Sequence, residues 1–427
     1  MKLHPIPSPA SLVRRSHSRV QNNYREAVAA GRYNVHRPSL VGKHDAVRNL
    51  WEDQARRQIL RPHLQRRCAE AERPFRVLDL GCGAGQGFAR LTQIEAAPDQ
   101  PGRPASCVLP EEVIEYVGAD LNPAMVTKGR ENYAGYGNVF FFQADLNAGL
   151  GVLRREPPFD LYFSSYGSFS HLSLARMRAL LADIGHHARN GALVVLDFNG
   201  RYSIEWPAYW SARTEAEKVR DYTMNYLHLG DPAAMSRADH FPLRFWTGDD
   251  VTRLARTAGR MAGCEFQVVS QMDCSMLVGR HVDTAEYHAA LPPLRRLVNS
   301  LHQDFQRTDL DRLLLAPELA GEHPLVSPVL SRLIRSWNLL VDFTRRRIEG
   351  PVAVADFTDW SACPPALQFA LIGMDRVIAD AAWVENGDAR ANLIEPQLAY
   401  LLRSLEFGLQ RGIGCGHGHL AVLQVVR

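Results

Sequence analysis

The sequence predicts an α/β fold in which a mostly parallel sheet is covered by helices on both faces and followed in the chain by a mainly helical region. Two observations lead to this fold class. Between residues 75 and 198, short apolar segments alternate with segments whose apolar residues recur at helical spacing, the pattern of strands joined by crossover helices. From about Thr284 to Gly412 the pattern is helical throughout.

The N-terminal segment and the predicted strands follow in chain order. Residues 1–40 are polar, basic and proline-bearing, which predicts a flexible basic arm. Helical spacing from Lys43 to Arg66 predicts a helix before the first strand, with Trp51 either in a lid or anchoring the helix to the sheet. The proline-rich stretch from Leu91 to Glu112 predicts a surface excursion. The predicted strands are Phe75–Leu80, Ile114–Ala119, Val139–Gln143, Leu161–Ser164 and Ala192–Phe198.

The segment that completes the sheet is ambiguous in the sequence. Cys264–Ser270 and Ser275–His281 have strand-like composition and would close the sheet as a short hairpin. Leu420–Val426 is strand-like too, and as the last strand it would turn the preceding helices into an insertion. We favour the hairpin, because it closes the sheet without returning a long excursion to it. The chain then divides into the arm 1–40, a sheet domain 41–283 and a mainly helical C-terminal region 284–427.

Composition and charge are those of an ordinary globular protein. Of 427 residues, 46% are hydrophobic and 22% are charged, and the net charge is +3, so neither extensive disorder nor a concentrated nucleic-acid surface is expected. The seven cysteines are dispersed without a C-x-x-C pair, which favours a reducing compartment. Prolines interrupt the N-terminus where a signal peptide would need an apolar core. These features predict a cytoplasmic protein.

The most informative motif is a glycine-rich turn at the end of the first predicted strand. Asp79 stands near that end and is followed by Gly81, Gly83 and Gly85 at alternate positions. Glycine tolerates positive φ and has no side chain, so the backbone can approach a ligand closely there. A dinucleotide site would have glycine at the position of Gln86, which disfavours a nicotinamide oxidoreductase.

The run Asp79-x-Gly81-x-Gly83-x-Gly85 resembles the first motif of the class I S-adenosylmethionine-dependent methyltransferases. The resemblance extends from about residue 75 to 200. It implies a Rossmann-like, seven-stranded, mostly parallel sheet and S-adenosylmethionine as the cofactor, bound beyond the carboxyl ends of the strands. It also implies that Asp79 orients the glycine turn and the amino group of the methionine moiety.

Further cofactor-binding residues are implied by the same resemblance. Asp120 has the place that accepts hydrogen bonds from both ribose hydroxyls, and its alternative role is the N-cap of the helix that opens at Pro123. Asp145 corresponds to the family's acidic residue that accepts a hydrogen bond from the adenine amino group, although any strand end can carry an aspartate. The other implied contacts are Leu121 and Met125 along the adenine or ribose, the backbone N–H of Leu146 at a ring nitrogen, and Ser165 beside the reactive methyl group.

Methyl transfer from a sulfonium mainly requires alignment, and a base only when the acceptor carries a proton. His171, a few residues beyond the fourth strand, is the candidate base, and Tyr166 is the candidate for shaping the pocket or bonding the acceptor. Each is equally well explained as a packing residue. His417 and His419 alternate as metal ligands on a strand can, but two ligands do not make a site, so no metal is predicted.

The acceptor class follows from the segment after the fourth strand. Residues 164–167 are Ser-Ser-Tyr-Gly. Family members that methylate the amino groups of nucleic-acid bases have Asn/Asp-Pro-Pro-Tyr/Phe at this place, and those that methylate carbon 5 of cytosine have Pro-Cys. The resemblance thus implies a methyltransferase for a small polar metabolite in specialised biosynthesis, without nucleic-acid or membrane partners. Two alternatives stay open, namely non-methyl transfer or cyclisation with the same cofactor, and a catalytically idle binding protein. The region 284–427 is expected to form a substrate lid or a homodimer surface.

Overall fold

The computed structural model describes residues 25–29, 31, 33, 35–36, 39–40, 45–71, 74–96, 106–222, 240–280, 283–383, 385 and 387–427. The strands are β1 (Val35–His36), β2 (Ser39–Leu40), β3 (Phe75–Leu80), β4 (Ile114–Asp120), β5 (Val139–Gln143), β6 (Leu161–Phe163), β7 (Leu193–Gly200), β8 (Val219–Tyr222), β9 (Phe241–Trp246), β10 (Glu265–Cys274) and β11 (Gly418–Val426).

A π-helical turn, Val47–Asp53, runs directly into the first of the main helices. These helices are α1 (Gln54–Glu70), α2 (Gln86–Thr92), α3 (Pro123–Asn132), α4 (Leu174–His187), α5 (Gly248–Ala262), α6 (Leu294–Ser300), α7 (Ser327–Glu349), α8 (Val354–Phe357), α9 (Pro365–Ala381) and α10 (Glu395–Leu409). None of the helices in the described part of the chain combines the length and the apolar character needed to cross a membrane.

The main sheet has nine strands, and its longest path is β10-β11-β7-β6-β3-β4-β5, while β1 and β2 form a separate ribbon. Neighbours from β7 to β5 are parallel, whereas β11 is antiparallel to both β7 and β10. β9 pairs with the last residues of β7 and carries β8 as its antiparallel neighbour. The predicted Rossmann-like path of seven mostly parallel strands is confirmed, with β8 and β9 as additions.

Helices cover both faces of the sheet, as the alternating pattern predicted. On one face, α4 and α5 bury Leu180 and Leu254 against apolar residues of β7 and β11. On the other face, α1, α2 and α3 contribute Leu64, Phe88 and Val126 to a second core. Strands buried on both faces read as continuous apolar runs, which is why these segments are recognisable in the sequence.

The favoured closing hairpin is wrong. β10 ends at Cys274 because Ser275 has φ 56°, a left-handed conformation that does not continue a strand. Residues 276–278 are buried in the core of the helical region instead. The last strand is β11, which includes Leu420–Val426 and lies between β7 and β10, where its apolar residues up to Val425 are buried. The helices between β10 and β11 are therefore an insertion, and the predicted region 284–427 returns to the sheet at its end.

The insertion is tied to the sheet where it begins and ends. Asp273, near the end of β10, accepts hydrogen bonds from the backbone N–H groups of Ile413 (3.0 Å), Gly414 (2.7 Å) and Cys415 (3.0 Å). Three hydrogen bonds on one buried side chain fix the turn that leads into β11, so the long excursion returns to a defined place.

The π-helical turn packs against the insertion. The ring of Trp51 is buried, and its centroid lies 5.9 Å from that of Trp337 in α7. Trp51 is thus an anchor, but it anchors the turn to the helical insertion and not to the sheet. The predicted arm, residues 1–40, lies largely outside the described residues, as do residues 97–105 of the predicted surface excursion.

Candidate functional site

The glycine-rich turn connects β3 to α2 in the conformation that its sequence predicted. Gly81, Gly83 and Gly85 have φ values of 76°, 56° and 92°. A Cβ on Gly81 would lie 2.7 Å from the side chain of Ser168, and one on Gly85 would lie 2.6 Å from the ring of Tyr133. At Gly83 the nearest atom is the end of a flexible side chain at 3.1 Å. Gly81 and Gly85 are therefore required by the protein's own packing, while Gly83 presents backbone on the more open side.

Asp79 lies beneath this turn. Its side chain is fully buried, and its Oδ2 accepts a hydrogen bond of 2.5 Å from the hydroxyl of Tyr116. A Cβ on Gly87, in α2, would lie 2.0 Å from the same oxygen, so the helix comes this close only because residue 87 is glycine. The Oδ1 atom has no hydrogen-bond partner among the described residues. Burial raises the pKa of the Asp79 carboxyl to about 7, despite the opposing hydrogen bond from Tyr116.

Asp120, the last residue of β4, is joined to the glycine turn. Its Oδ2 accepts from the backbone N–H of Gly83 at 2.9 Å, and its Oδ1 accepts from that of Asn122 at 2.8 Å. The N-cap of α3 is Asn122, whose side chain accepts from the N–H of Ala124 at 2.9 Å. The N-cap alternative for Asp120 is therefore wrong. Burial raises the pKa of its carboxyl.

The other residues expected around the adenosine follow β4 and β5. Parallel pairing sets Asp120 opposite Gln143, so Asp145 lies two residues beyond that partner at the same edge of the sheet. Asp145 is exposed and accepts at 2.9 Å from the N–H of Asn147. Asp79, Asp120 and Asp145 thus lie at the carboxyl ends of the adjacent strands β3, β4 and β5. Among their neighbours, Leu121 and Leu146 are half-buried, and Met125 is buried.

The segment after β6 passes beside the glycine turn. The hydroxyl of Ser168 donates to the carbonyl oxygens of Gly81 (3.1 Å) and Ser165 (2.9 Å), which joins the two segments. Ser165 is buried, and its hydroxyl accepts from Arg90 at 3.4 Å. Tyr166 follows with φ 59°, a conformation that is unusual for a bulky residue and that often marks a functional site.

Tyr166 is surrounded by charged side chains. Its hydroxyl donates to Asp53, and its backbone N–H donates to Oδ2 of Asp197 at 2.7 Å. The guanidinium carbons that surround its ring, with their distances from the ring centroid, are those of Arg48 (3.4 Å), Arg90 (3.5 Å), Arg280 (4.8 Å) and Arg56 (4.9 Å). Burial raises the pKa of the Tyr166 phenol, so its hydroxyl stays protonated and donates at neutral pH. These contacts favour a positioning role over that of a base.

The guanidinium groups around Tyr166 and their carboxylate partners form what we call the arginine cluster. Its members are Arg48, Arg56, Arg90, Arg280, Glu52, Asp53 and Asp197, all buried. Ion pairs join Arg48 to Glu52 at 2.9 Å, Arg56 to Asp197 at 3.2 Å and Arg90 to Asp53 at 3.3 Å. Burial favours the neutral acids, but the surrounding arginines outweigh it and lower the pKa of Glu52 and of Asp53 to about 2. Glu52 and Asp53 are therefore ionised.

Sequence reasoning missed the cluster, because its arginines come from distant parts of the chain. One signal was present. Arg48, Glu52 and Arg56 recur every four residues in the predicted N-terminal helix, and such a charged row is ordinarily solvent-exposed. Here the row is buried against the ends of β6 and β7.

The candidate base His171 ends the 3-10 turn Ser168–His171. Its ring lies 5.0 Å from that of Phe241 in β9. Burial lowers the pKa of the His171 imidazole to about 4, so the ring is neutral at physiological pH. A neutral imidazole can accept a proton, but its low pKa makes it a weak base. The role of His171 stays a prediction.

The histidines near the start of β11 are paired with acids. Nδ1 of His417 lies 2.6 Å from Glu205, and Nδ1 of His419 lies 3.2 Å from Asp273. Both histidines are buried. Within the described ranges, no group of three or more His, Cys, Asp or Glu side chains is arranged to hold a metal ion. His419 therefore belongs to the hydrogen bonds that fix the turn before β11.

Comparison with protein families agrees with this geometry. Residues 78–194 match the family model described as a methyltransferase domain, a segment that runs from β3 to β7 and contains the glycine turn, Asp79, Asp120 and Asp145. The resemblance drawn from the glycine-rich turn is thereby confirmed. No curated protein matches the chain.

Solved structures with partial similarity carry related descriptions. A TehB-like S-adenosylmethionine-dependent methyltransferase from Corynebacterium glutamicum is 16% identical, with 62% of this chain and 88% of that chain covered and a TM-score of 0.29. An S-adenosylmethionine-dependent methyltransferase from Clostridium acetobutylicum is 12% identical, with 54% of this chain and 88% of that chain covered and a TM-score of 0.34. CalS10, an amino pentose methyltransferase from Micromonospora echinaspora, is 16% identical, with 52% of this chain and 86% of that chain covered and a TM-score of 0.30.

Proposed function

We propose that this chain, which contains a domain of the class I S-adenosylmethionine-dependent methyltransferase family, binds S-adenosylmethionine and transfers its methyl group to a small polar metabolite. The observation that carries the proposal is the position of the Asp120 carboxylate. Its carboxylate is held by the N–H of Gly83 at the carboxyl end of β4, and carboxylate oxygens have further lone pairs with which to accept from a vicinal diol. Ligands of open parallel sheets bind at this edge.

The buried Asp79 supports the same cofactor. Its Oδ1 is an acceptor without a hydrogen-bond partner among the described residues, and buried polar groups are otherwise almost always paired. A cationic ammonium group would satisfy that oxygen and favour the ionised carboxylate, which burial alone disfavours. Asp79 would therefore hold the amino group of the methionine moiety, while Asp120 holds the ribose and Asp145 the adenine.

The chemistry at the site is displacement at a methyl carbon. When bound, S-adenosylmethionine supplies an electrophilic methyl group on a sulfonium. The residues of this chain align the acceptor with it and exclude water, which is how a protein accelerates such a reaction. Ser165 and Tyr166 lie on the segment next to the glycine turn, and the buried polar side chains around them suit a small polar acceptor.

Isothermal calorimetry with S-adenosylhomocysteine tests the cofactor site. Asp120→Ala should weaken binding about 100-fold, since two hydrogen bonds to a charged group are lost. Asp304→Ala, which removes an exposed carboxylate in the insertion, should bind as the wild type does. Equal affinity of the wild type and Asp120→Ala, with both proteins folded by circular dichroism, would refute the proposed site.

Product analysis separates methyl transfer from the alternatives. Incubation with S-adenosylmethionine and a small-metabolite extract should release S-adenosylhomocysteine. Release of methylthioadenosine would instead indicate attack on another carbon of the sulfonium. Binding without either product, across extracts from several sources, would favour an idle binding protein. The helical insertion as a substrate lid or homodimer surface stays a prediction, and sedimentation velocity would test the dimer.

A further inference from the structure

We propose that Arg56 and Arg280 of the arginine cluster bind an oxyanion group of a ligand, a carboxylate or a phosphate, at the carboxyl ends of β6 and β7. The inference deepens the proposed function, on which it rests for the location of the acceptor. It goes further because it names a chemical group that the acceptor, or the methionine moiety of the cofactor, would present.

The first argument is charge. The cluster contains four guanidinium groups and three carboxylates, all buried. The low pKa values of Glu52 and Asp53 keep those two carboxylates ionised, and arginine stays protonated in proteins. Four guanidinium groups against at most three carboxylate charges leave at least one positive charge in excess. A buried charge without a counterion is unfavourable by several kcal/mol in general, so a site with this balance is completed by an anion.

The second argument identifies the side chains that carry the excess positive charge. Nη1 and Nη2 of Arg56, and Nε and Nη2 of Arg280, have no hydrogen-bond partner among the residues that the structure describes. The exposed fractions are only 3% for Arg56 and 1% for Arg280. Arg280 comes no nearer to Glu52 than 3.9 Å, and the oxygens of Glu52 already accept from Arg48 at 2.9 Å and from Ser275 at 2.5 Å. Arg280 is therefore the cation whose charge is least compensated.

The third argument is position. A narrow cavity, wide enough for one water-sized oxygen, adjoins Arg56 and is also lined by Asp53, Arg90, Phe163, Ser165 and Asp197. Arg280 is not among its lining residues, but both guanidinium groups lie beside Gly418, where a Cβ would be 3.1 Å from Nη2 of Arg56 and 3.4 Å from Nη1 of Arg280. Ser165 is linked through Ser168 to the carbonyl of Gly81, so the cavity borders the segment that holds the cofactor. The guanidinium fork matches two oxygens of a carboxylate or phosphate, which a lysine cannot reproduce.

Thermal unfolding of the wild-type protein tests the site without any substitution. Inorganic phosphate and acetate are titrated separately at constant ionic strength, with chloride as the reference. At least one of the two should raise the melting temperature in a saturable way. A response to phosphate alone or to acetate alone tells which oxyanion fits. The same response to both anions as to chloride would overturn the proposal.

Conservative variants then locate the effect. Arg56→Lys and Arg280→Lys keep the charge but lose the fork, and each should weaken the saturable response about tenfold, the value of one charged hydrogen bond. Arg67→Lys is the matched control, since Arg67 also lies in α1 but is paired with Asp160 at 2.7 Å. If the wild-type response persists unchanged in both cluster variants, the oxyanion binds elsewhere and the proposal is wrong.

Competition distinguishes the two sources of the oxyanion. If phosphate still stabilises the protein at saturating S-adenosylhomocysteine, the site serves the acceptor. If S-adenosylhomocysteine abolishes the phosphate response but methylthioadenosine, which lacks the carboxylate, does not, the site serves the cofactor. Saturable phosphate binding in a protein that fails to bind S-adenosylhomocysteine would refute the proposed function while leaving the oxyanion site intact.

Discussion

Replacement of Asp79 by asparagine should stabilise the cofactor-free protein at neutral pH and weaken its cofactor binding. The carboxyl has a pKa of about 7 in the folded protein against its ordinary value of 3.8. Below pH 3.8 it is protonated in both states and contributes nothing to the pH dependence. Between the two pKa values only the unfolded chain ionises, so the free energy of unfolding falls by about 1.4 kcal/mol for each pH unit.

Above pH 7 the carboxyl is ionised in both states, and the penalty levels off at about 4 kcal/mol. Asparagine has nearly the same shape and cannot ionise. Urea unfolding from pH 4 to pH 8.5 should therefore show a stability difference in favour of Asp79→Asn that grows from near zero to a few kcal/mol. Calorimetry at pH 8 should show weaker binding of S-adenosylhomocysteine, because the charged partner that we propose for its ammonium group is lost.

Two comparisons sharpen this experiment. Tyr116→Phe removes the donor that favours the Asp79 anion and should make the loss of stability with rising pH larger. Asp304→Asn changes the charge equally at an exposed position and reports the effect of net charge alone. A constant difference between Asp79→Asn and the wild type across this pH range would refute the assignment of the raised pKa to Asp79.

Three further substitutions test the site and its support. Gly87→Ala should destabilise the protein by about 1–3 kcal/mol through overpacking and weaken S-adenosylhomocysteine binding in calorimetry, because the new Cβ would lie 2.0 Å from Asp79. Asp273→Asn should lower the free energy of urea unfolding by about 2 kcal/mol, since it disturbs the hydrogen bonds that this side chain accepts from three backbone donors; an unchanged value would contradict that role. His171→Asn should lower kcat and leave S-adenosylhomocysteine affinity unaltered, with the acid limb of the wild-type pH profile near pH 4, whereas the exposed His186→Asn should not change kcat.

The parts of the fold that the sequence predicted are those specified by local patterns. Apolar runs between Phe75 and Phe198 identified the parallel strands, because burial on both faces requires continuous apolar residues. The glycine turn and the three aspartates were identified because alternate glycines and strand-end acids are short-range features. The N-cap of α3 was assigned correctly only with coordinates, since Asp120 and Asn122 are equally good capping residues in sequence.

The parts that could not be predicted depend on contacts between distant segments. Nothing near Ser275 in the sequence signals its positive φ, which ends β10 and sends the chain into the insertion. The place of β11 between β7 and β10 depends on hydrogen bonds that Asp273 accepts from backbone N–H groups about 140 positions away. The arginine cluster likewise joins Arg48 to Arg280, and arginines in sequence are ordinarily read as solvated.

The insertion supports the arginine cluster, although it lies outside the segment that matches the family model. It holds the π-helical turn that supplies the cluster, because the N–H of Val47 donates to Asn299 at 3.0 Å and the carbonyl of Leu50 accepts from Arg403 at 2.9 Å. The chain also enters the insertion through Arg280. The family model ends at residue 194, before Asp197 and Arg280 and after the residues expected to hold the cofactor. If the proposed function holds, the residues expected to bind the cofactor lie in the segment that matches the family model, and most of the arginine cluster lies outside it. Changes in acceptor preference are therefore expected to arise outside that segment.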